Sequence, residues 1–366
     1  MLLCLRLKNE SIMVNSKITG TGCYIPTIIQ GNDAFLEHEF LNEDGSKFET
    51  SNEIIIEKFK SITGIEERRY ASSNYSTSDL AFFAAQKAIE SSGVNPEELD
   101  YIILAHNFGD VNKPAGQSDI LPSLATRVKH SLKIENPNCV AYDILFGCPG
   151  WIEGVIQAHA FIKSGMAKKV LVIGAETLSR VVDKTDRDSM IFSDGAGACI
   201  VEANEDDAIG ILSHATQTFS KEEAYYLFFG KSNATDSTED EKYIKMQGRK
   251  IYEFALNHVP DAMKSALDKS GVEIHDVKKV FIHQANEKMD EAIIKRFYRL
   301  FKQQVPEGVM PMNIHEYGNS SVATVPTLLD LVLKGQIKNQ EVQKGDVVIF
   351  ASVGSGMNIN AIVYRF

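Results

Sequence analysis

The chain has no excess of positive charge: 38 Lys and Arg stand against 49 Asp and Glu, a formal net charge of −11 at pH 7. Nucleic acid and anionic membrane surfaces are bound by clustered cations, so neither is expected as the main partner, and any basic patch must be local. A cysteine framework is missing as well. Cys4, Cys23, Cys139, Cys148 and Cys199 are odd in number and none has CxxC spacing, which argues against a disulfide scaffold and a zinc site and fits a reducing cytoplasm. No run approaches the about 18 apolar residues that a membrane-spanning helix needs. The opening MLLCLRLKNESI meets Asn9 and Glu10 before a signal-peptide core can form. The expectation is a cytoplasmic chain with no membrane span, in which residues 1–12 are an extension ahead of the first strand-like run.

What is present reads as an ordinary globular protein, 366 residues long with 44% apolar and 24% charged residues. At about 100 to 200 residues per domain, that length predicts two core-sized units. An internal echo supports this: AIESSGVNPEELDYIILA from Ala88 and ALDKSGVEIHDVKKVFIH from Ala266 align without gaps and pair Gly93 with Gly271. Each predicts a helix closed by glycine, a short acidic loop and a buried strand. Apolar, turn-bounded runs at 170–176, 197–203, 347–354 and 358–366 predict further strands, and stretches 79–91, 151–163, 252–269 and 287–303 predict helices. Strands alternating with helices indicate an α/β sandwich. Segment 217–248, with its polar run KSNATDSTEDEKY, reads as a solvated loop, the alternative being a mobile cover over an active site.

Chemistry is suggested at four places. Around Cys148, an apolar strand ends in Gly147-Cys148-Pro149-Gly150 and an amphipathic helix follows from Trp151. A cysteine at a helix N-terminus gains from unpaired N–H groups and the helix dipole, which favour thiolate; a buried structural cysteine is the plainer reading. His283, in VFIHQAN, stands at the C-terminal end of a predicted strand, where α/β proteins gather functional groups, with Gln284 and Asn286 as local braces or caps. Asn319, in GNSS before an apolar helix, is explained equally by capping. Gly354-Ser355-Gly356, between two strands, lets a backbone N–H approach a ligand as an oxyanion hole requires, or is a plain turn. The stretches ITGTGCYIP and FSDGAGACIVE are read as architectural, with Asp194-Gly195 as a tight turn and Gly197 as a close-packing position.

Taken in order, TGTGCYIP, TGIEERRYA, the CPG turn at Cys148, DRDSMIFSDGAGA, HQAN, YGNSSVATVP and the terminal GSG strand pair resemble 3-oxoacyl-(acyl-carrier-protein) synthase III, within the thiolase-like condensing enzymes. The resemblance runs from about Lys17 to Phe366. It implies a duplicated five-layer α-β-α-β-α sandwich, with an N-terminal half at 1–205 that holds Cys148 and a C-terminal half at 206–366 that holds His283 and Asn319. It also implies a homodimer and a decarboxylative or related Claisen condensation in fatty-acid or specialised lipid biosynthesis. Cys148 would accept an acyl group from a coenzyme A or carrier-protein thioester. His283 and Asn319 would hold the carbonyl of a malonyl-type donor as two neutral hydrogen-bond donors, with no metal and no cofactor. The backbone at Ser355 and Gly356 would serve the oxyanion.

Several positions depart from acetyl-primed members of that family. Ser355 replaces the middle of three glycines, and Lys58 and Ile62 stand where a Trp and an Arg hold adenine, which shifts the expected donor toward carrier protein. Leu121 stands where a Phe reaches across the dimer, so a longer acyl chain is expected. This suggests a specialised member, such as one joining two 3-oxoacyl chains toward an alkylresorcinol-type product. Lys288, Lys295, Arg296 and Arg299, on or near one helix, form a candidate dock for the acidic carrier. Acyl transfer to oxygen or nitrogen without carbon–carbon bond formation is the alternative activity. A papain-like hydrolase and a non-catalytic subunit are the remaining readings.

Overall fold

The structure, a computed structural model, describes residues 14–111, 117–235, 237 and 241–366; the expected extension at 1–12 lies outside the described residues. Among the described residues, nine strands build the two large sheets. The first contains β1 (Asn15–Tyr24), β2 (Tyr101–Ala105), β3 (Val140–Ile144), β4 (Lys169–Thr177) and β5 (Asp194–Asn204), in the order β1-β5-β4-β2-β3. The second contains β6 (Gly210–Thr218), β7 (Val277–Ile282), β8 (Val347–Gly354) and β9 (Asn358–Arg365), in the order β6-β9-β8-β7. Their wiring is the same. In each sheet an antiparallel hairpin (β4-β5, β8-β9) has a parallel strand on one side (β2, β7) and an antiparallel one on the other (β1, β6). Where the first sheet adds β3, the second has a single backbone bond, Val280 N–H donating to the Val309 carbonyl at 2.7 Å.

Six helices cover these sheets: α1 (Thr77–Ser92), α2 (Leu124–Ser131), α3 (Gly150–Lys163), α4 (Gly248–Ser270), α5 (Glu287–Leu300) and α6 (Thr324–Leu333). Period-two alternation along the strands decides which layer each side chain enters. In β4, Leu171 and Ile173 face α1 and α2, whereas Val170 and Val172 face α3 and α6. In β8, Val348 and Phe350 join that same central core, while Val347, Ile349, Ala351 and Val353 pack under α4 and α5. Three cores therefore separate five layers, and strands buried on both faces need the unbroken apolar runs seen in the sequence. The echo units match in place: α1 and α4 both end on a left-handed glycine, Gly93 and Gly271 (φ 71° each), before β2 and β7. Gly22 shows why the opening stretch is architectural, since a Cβ there would lie 2.4 Å from the Ala88 nitrogen of α1.

Two expectations are corrected. Asp194-Gly195 is not a tight turn: both residues open β5, and the buried Asp194 carboxylate accepts from Ala71 N–H (2.7 Å) and from Ser179 N–H (2.8 Å) and Oγ (2.7 Å). Segment 217–248 is not a solvated loop. It carries a strand pair, Leu227–Lys231 with Lys242–Met246. Lys245 explains the docking: its buried ammonium donates to Asp183 Oδ2 (2.6 Å), Asp186 Oδ2 (2.9 Å) and Asn233 Oδ1 (2.8 Å), and Ile244 N–H bonds the Val181 carbonyl at 2.9 Å. A buried charge requires such a complete set of partners. Among the described residues no helix is long and apolar enough to cross a membrane.

Phe350, 1% exposed in the central layer, and Ile54, 46% exposed on the helix Asn52–Thr63, make a paired test of this layering. Urea unfolding should show Phe350→Ala destabilising by about 3–5 kcal/mol and Ile54→Ala by under about 0.5 kcal/mol. Equal costs would contradict it.

Candidate active site

β3 delivers the chain to Cys148. After Ile144 the backbone turns through Gly147 (φ 69°) and enters α3 at Gly150, so the partly exposed Cys148 sits just before the helix. The loop after β8 lies directly against this turn. A Cβ on Gly354 would lie 2.4 Å from Cys148 N, and one on Gly147 would lie 2.6 Å from Ser355 N, so backbone meets backbone on both sides. Asn358 Nδ2 clamps the two loops by donating to the carbonyls of Phe146 (3.2 Å) and Ser355 (2.9 Å), while Ser355 Oγ donates to the Leu227 carbonyl (3.2 Å). Gly356 adopts φ 76°, which favours glycine.

Ser321 joins this turn to the residues of the second sheet. Its Oγ donates to Cys148 Sγ (3.3 Å), its N–H donates to Asn319 Oδ1 (2.8 Å), and its carbonyl accepts from Thr324 Oγ1 (2.6 Å). Thr324 Oγ1 also meets His283 Nδ1 at 2.6 Å. Asn319 is fixed further by its backbone, donating to the Ile191 carbonyl (3.0 Å) and accepting from Ser193 N–H (2.8 Å). His283 N–H donates to the Ala351 carbonyl at 2.8 Å, which holds the end of β7 against β8. The sequence thus brings Cys148, His283 and Asn319 from three distant segments into one network, with Ser355 and Gly356 on the neighbouring loop.

Donor and acceptor counting assigns the protons. A threonine hydroxyl has one hydrogen, and at Thr324 the Ser321 carbonyl, which can only accept, takes it. His283 Nδ1 therefore carries the hydrogen given to Thr324, and Nε2 of the neutral ring presents a lone pair. Asn319 uses Oδ1 on Ser321, so its Nδ2 is the end left to donate. This revises the expectation of two neutral donors: Asn319 is one, whereas His283 is at rest an acceptor. Burial pushes His283 down to about 4, which keeps the ring neutral.

The thiol differs from expectation too. Burial pushes Cys148 up to about 11; the Ser321 hydrogen bond opposes it, and the Glu176 carboxyl adds a smaller upward push. A helix terminus is worth about 0.3–1 kcal/mol, under one pKa unit, and does not overcome burial here. Glu176, at the end of β4, is 1% exposed and is itself pushed up to about 8 by burial. Asn107 Nδ2 links it to the site, donating to Glu176 Oε1 (2.6 Å) and to Ser321 Oγ (3.2 Å).

Ser321, Thr324, Asn107 and Glu176 are the residues that sequence reasoning missed. Ser321 and Thr324 look like capping residues, and the available signal for Asn107 and Glu176 was their place at the C-terminal ends of β2 and β4. Of the other candidates, Leu121 is 86% exposed on the loop before α2, so within one chain it packs against little. The basic row on α5 is partly engaged: Arg296 reaches Asn257 Oδ1 (2.7 Å) on α4 and Lys295 lies 3.4 Å from Glu291, while Lys288 and Arg299 are exposed. Asn286 caps α5 through Met289 N–H (3.0 Å), and Gln284 braces Pro311 (2.8 Å) and Asn313 (3.0 Å). Lys58 and Ile62 lie exposed on the helix Asn52–Thr63. Among the described residues no group of three or more His, Cys, Asp or Glu could hold a metal ion.

Comparison with known proteins agrees with this geometry. The chain matches the family described as 3-oxoacyl-(acyl-carrier-protein) synthase III over residues 142–219, and the C-terminal region of the same family over 267–366. It is 32% identical to a beta-ketoacyl-(acyl-carrier-protein) synthase III of Erythrobacter litoralis, over 97% of this chain and 100% of the relative. It is 34% identical to a synthase III of Vibrio vulnificus, over 96% of this chain and 99% of that one. The crystal structure of 3-oxoacyl-(acyl-carrier-protein) synthase III from Aquifex aeolicus superposes with a TM-score of 0.77 at 32% identity, covering 96% of this chain and 100% of that one. A duplicated sandwich with cysteine, histidine and asparagine joined at the meeting of its two sheets, and full-length likeness at this level, together establish that the chain belongs to the 3-oxoacyl-(acyl-carrier-protein) synthase III family of thiolase-like condensing enzymes.

Proposed function

We propose that the chain joins two acyl thioesters by Claisen condensation, with Cys148 from the first half (1–205) carrying the acyl group and His283 and Asn319 from the second half (206–366) serving the donor. The observation that supports this most is the Ser321 junction, which binds the sulfur, the amide and, through Thr324, the imidazole into one unit. A thiol pushed up to about 11 needs a proton acceptor when it attacks, and the lone pair of His283 Nε2 supplies one.

In the first step Cys148 Sγ attacks the thioester carbonyl, and its proton passes to His283 Nε2 and on to the coenzyme A or carrier-protein thiolate as that leaves, so the ring returns to its neutral form. The transient oxyanion is served by the backbone at Cys148 and at Ser355–Gly356. A malonyl-type donor then sets its thioester oxygen against Asn319 Nδ2, beside His283. Loss of CO2 puts negative charge on that oxygen, where Asn319 donates to a charge that is absent from the ground state and where a proton reaching His283 Nε2 as that charge develops adds a second donor. The carbanion attacks the acyl carbonyl, and Cys148 leaves as thiolate and takes its proton from solvent by way of His283 Nε2.

The same reading covers partners. Among the described residues no further strand pairs with β3 at the end of its sheet, and exposed Val140 (46%), Leu145 (66%), Ile120 (56%) and Leu121 (86%) lie on or near it, which supports a homodimer joined there. Leu121 would then enter the neighbouring protomer's acyl pocket and admit chains longer than acetyl. Lys288, Lys295, Arg296 and Arg299, all exposed on α5, would meet an acidic carrier protein. The cytoplasm is the proposed compartment.

Intact-protein mass measurement after exposure to a panel of acyl thioesters should find one acyl adduct, lost in Cys148→Ala. Asn319→Ala should keep the adduct yet slow CO2 release and product formation with a malonyl donor by about a hundredfold or more. His283→Ala should slow both steps. The reading fails if no thioester labels Cys148 and Cys148→Ala leaves product unchanged.

Acylation should also be insensitive to pH across the ordinary histidine range, about 5 to 7.5. The sign follows from burial, since His283 takes up a proton only near 4 and its acceptor is intact at higher pH. An acid limb near the usual histidine value, abolished in His283→Ala, would contradict this.

A further inference from the structure

Among the described residues, Glu176 is the one buried carboxyl hydrogen-bonded into this network that the mechanism above does not use. It is 1% exposed, Oε1 accepts from Asn107 Nδ2 at 2.6 Å, and the buried Oε2 has no hydrogen-bond partner among the described residues. Asn107 gives its amide to two acceptors at once, Glu176 Oε1 and Ser321 Oγ. The consequence lies in direction. Because Asn107 donates to Ser321, the Ser321 hydrogen is turned toward Cys148 Sγ, where it stabilises developing thiolate. A flipped Asn107 would offer Oδ1 instead, draw the Ser321 hydrogen away, and leave the sulfur without its donor. The acceptor at Glu176 Oε1 favours the orientation observed.

We propose that Glu176 is a positioning residue for the nucleophile: through Asn107 it sets the direction of the Ser321 hydroxyl, and so the reactivity of Cys148.

The carboxyl also acts by its charge. Held neutral by burial at neutral pH, it places no negative charge behind the sulfur; once ionised, above about 8, it opposes the thiolate. The other ionisable groups about it are Cys148 and Asp194; Asp194 also pushes Glu176 upward and is itself held by Ala71, Ser179 and the nearby Arg180. The orphaned Oε2 is the atom that carries the proton of the neutral form. Reactivity toward thioesters would therefore level off in mild alkali, where an ordinary cysteine continues to gain.

The inference deepens the reading of Cys148 as acyl acceptor, yet its test uses a probe that needs no substrate. Alkylation of Cys148 by iodoacetamide, read by peptide mass spectrometry across pH, should separate the two effects. Glu176→Gln keeps an acceptor for Asn107 and loses the charge. Its rate should match the parent near neutral pH and exceed it by about tenfold in alkali, one unit of apparent thiol pKa. Glu176→Ala and Asn107→Ala lose the orientation and should fall about tenfold at neutral pH, the worth of one hydrogen bond to a charged group. Circular dichroism identifies any variant that has not folded, and Glu176→Gln, nearly isosteric, keeps the test open if the alanine variants fail. Identical pH profiles for the parent and Glu176→Gln would overturn the charge effect, and equal rates for Glu176→Ala and Glu176→Gln near neutral pH would overturn the positioning role. If alkylation follows this pattern while no acyl thioester labels the parent, the positioning stands and the acyl-transfer reading falls; labelling without the pattern gives the reverse.

Discussion

Ser321 makes three contacts that no other residue of the site makes together, giving its hydroxyl to a sulfur, its amide to a carboxamide and its carbonyl to a threonine that holds an imidazole. It does so in a left-handed conformation (φ 53°), which is uncommon outside glycine and asparagine and aims the amide and the side chain in different directions. The remaining geometry depends on it. Asn319 presents Nδ2 because Ser321 occupies Oδ1, and His283 presents a lone pair because Thr324 has given its hydrogen to the Ser321 carbonyl.

The layered fold is what lets so small a junction work. Cys148 stands where β3 passes into α3, His283 at the end of β7, and Asn319 beside the start of β5, so each is held by strands of a packed sheet. Phe350 and Val348 on one sheet and Val170 and Val172 on the other share the central core, which fixes the two sheets against each other. The close approach of Gly354 to Cys148 then sets the nucleophile loop against the second sheet. A side chain at Gly354 would push them apart.

Much of this was legible in the sequence for physical reasons. Strands buried on both faces must be continuously apolar, so β4, β5, β8 and β9 appear as β-branched runs, and helices that stop on glycine announce themselves at Gly93 and Gly271. Cys148, His283 and Asn319 stood out because each follows a strand-like run or precedes a helix. The supporting groups did not, because Asn107, Glu176, Ser321 and Thr324 have roles only in relation to residues far away in the chain, and a polar residue at a strand end reads as a cap. Lys245 was hidden similarly: its partners Asp183 and Asp186 lie 62 and 59 residues earlier, so a buried ion cluster looked like a polar loop. The direction of the Cys148 shift was misjudged because helix position is local and visible, whereas burial is tertiary.

The central claim is that Ser321 couples the nucleophile to its histidine, and a double-mutant cycle measures that coupling directly. Single-turnover acylation of Cys148 by an acyl thioester would be timed in the parent, Ser321→Ala, His283→Ala and the double variant. The account predicts non-additive losses, with a coupling energy of about 0.5–3 kcal/mol, because both changes act on the same sulfur through one network. Losses that add to within about 0.3–0.5 kcal/mol would show that the two residues act independently and would contradict it.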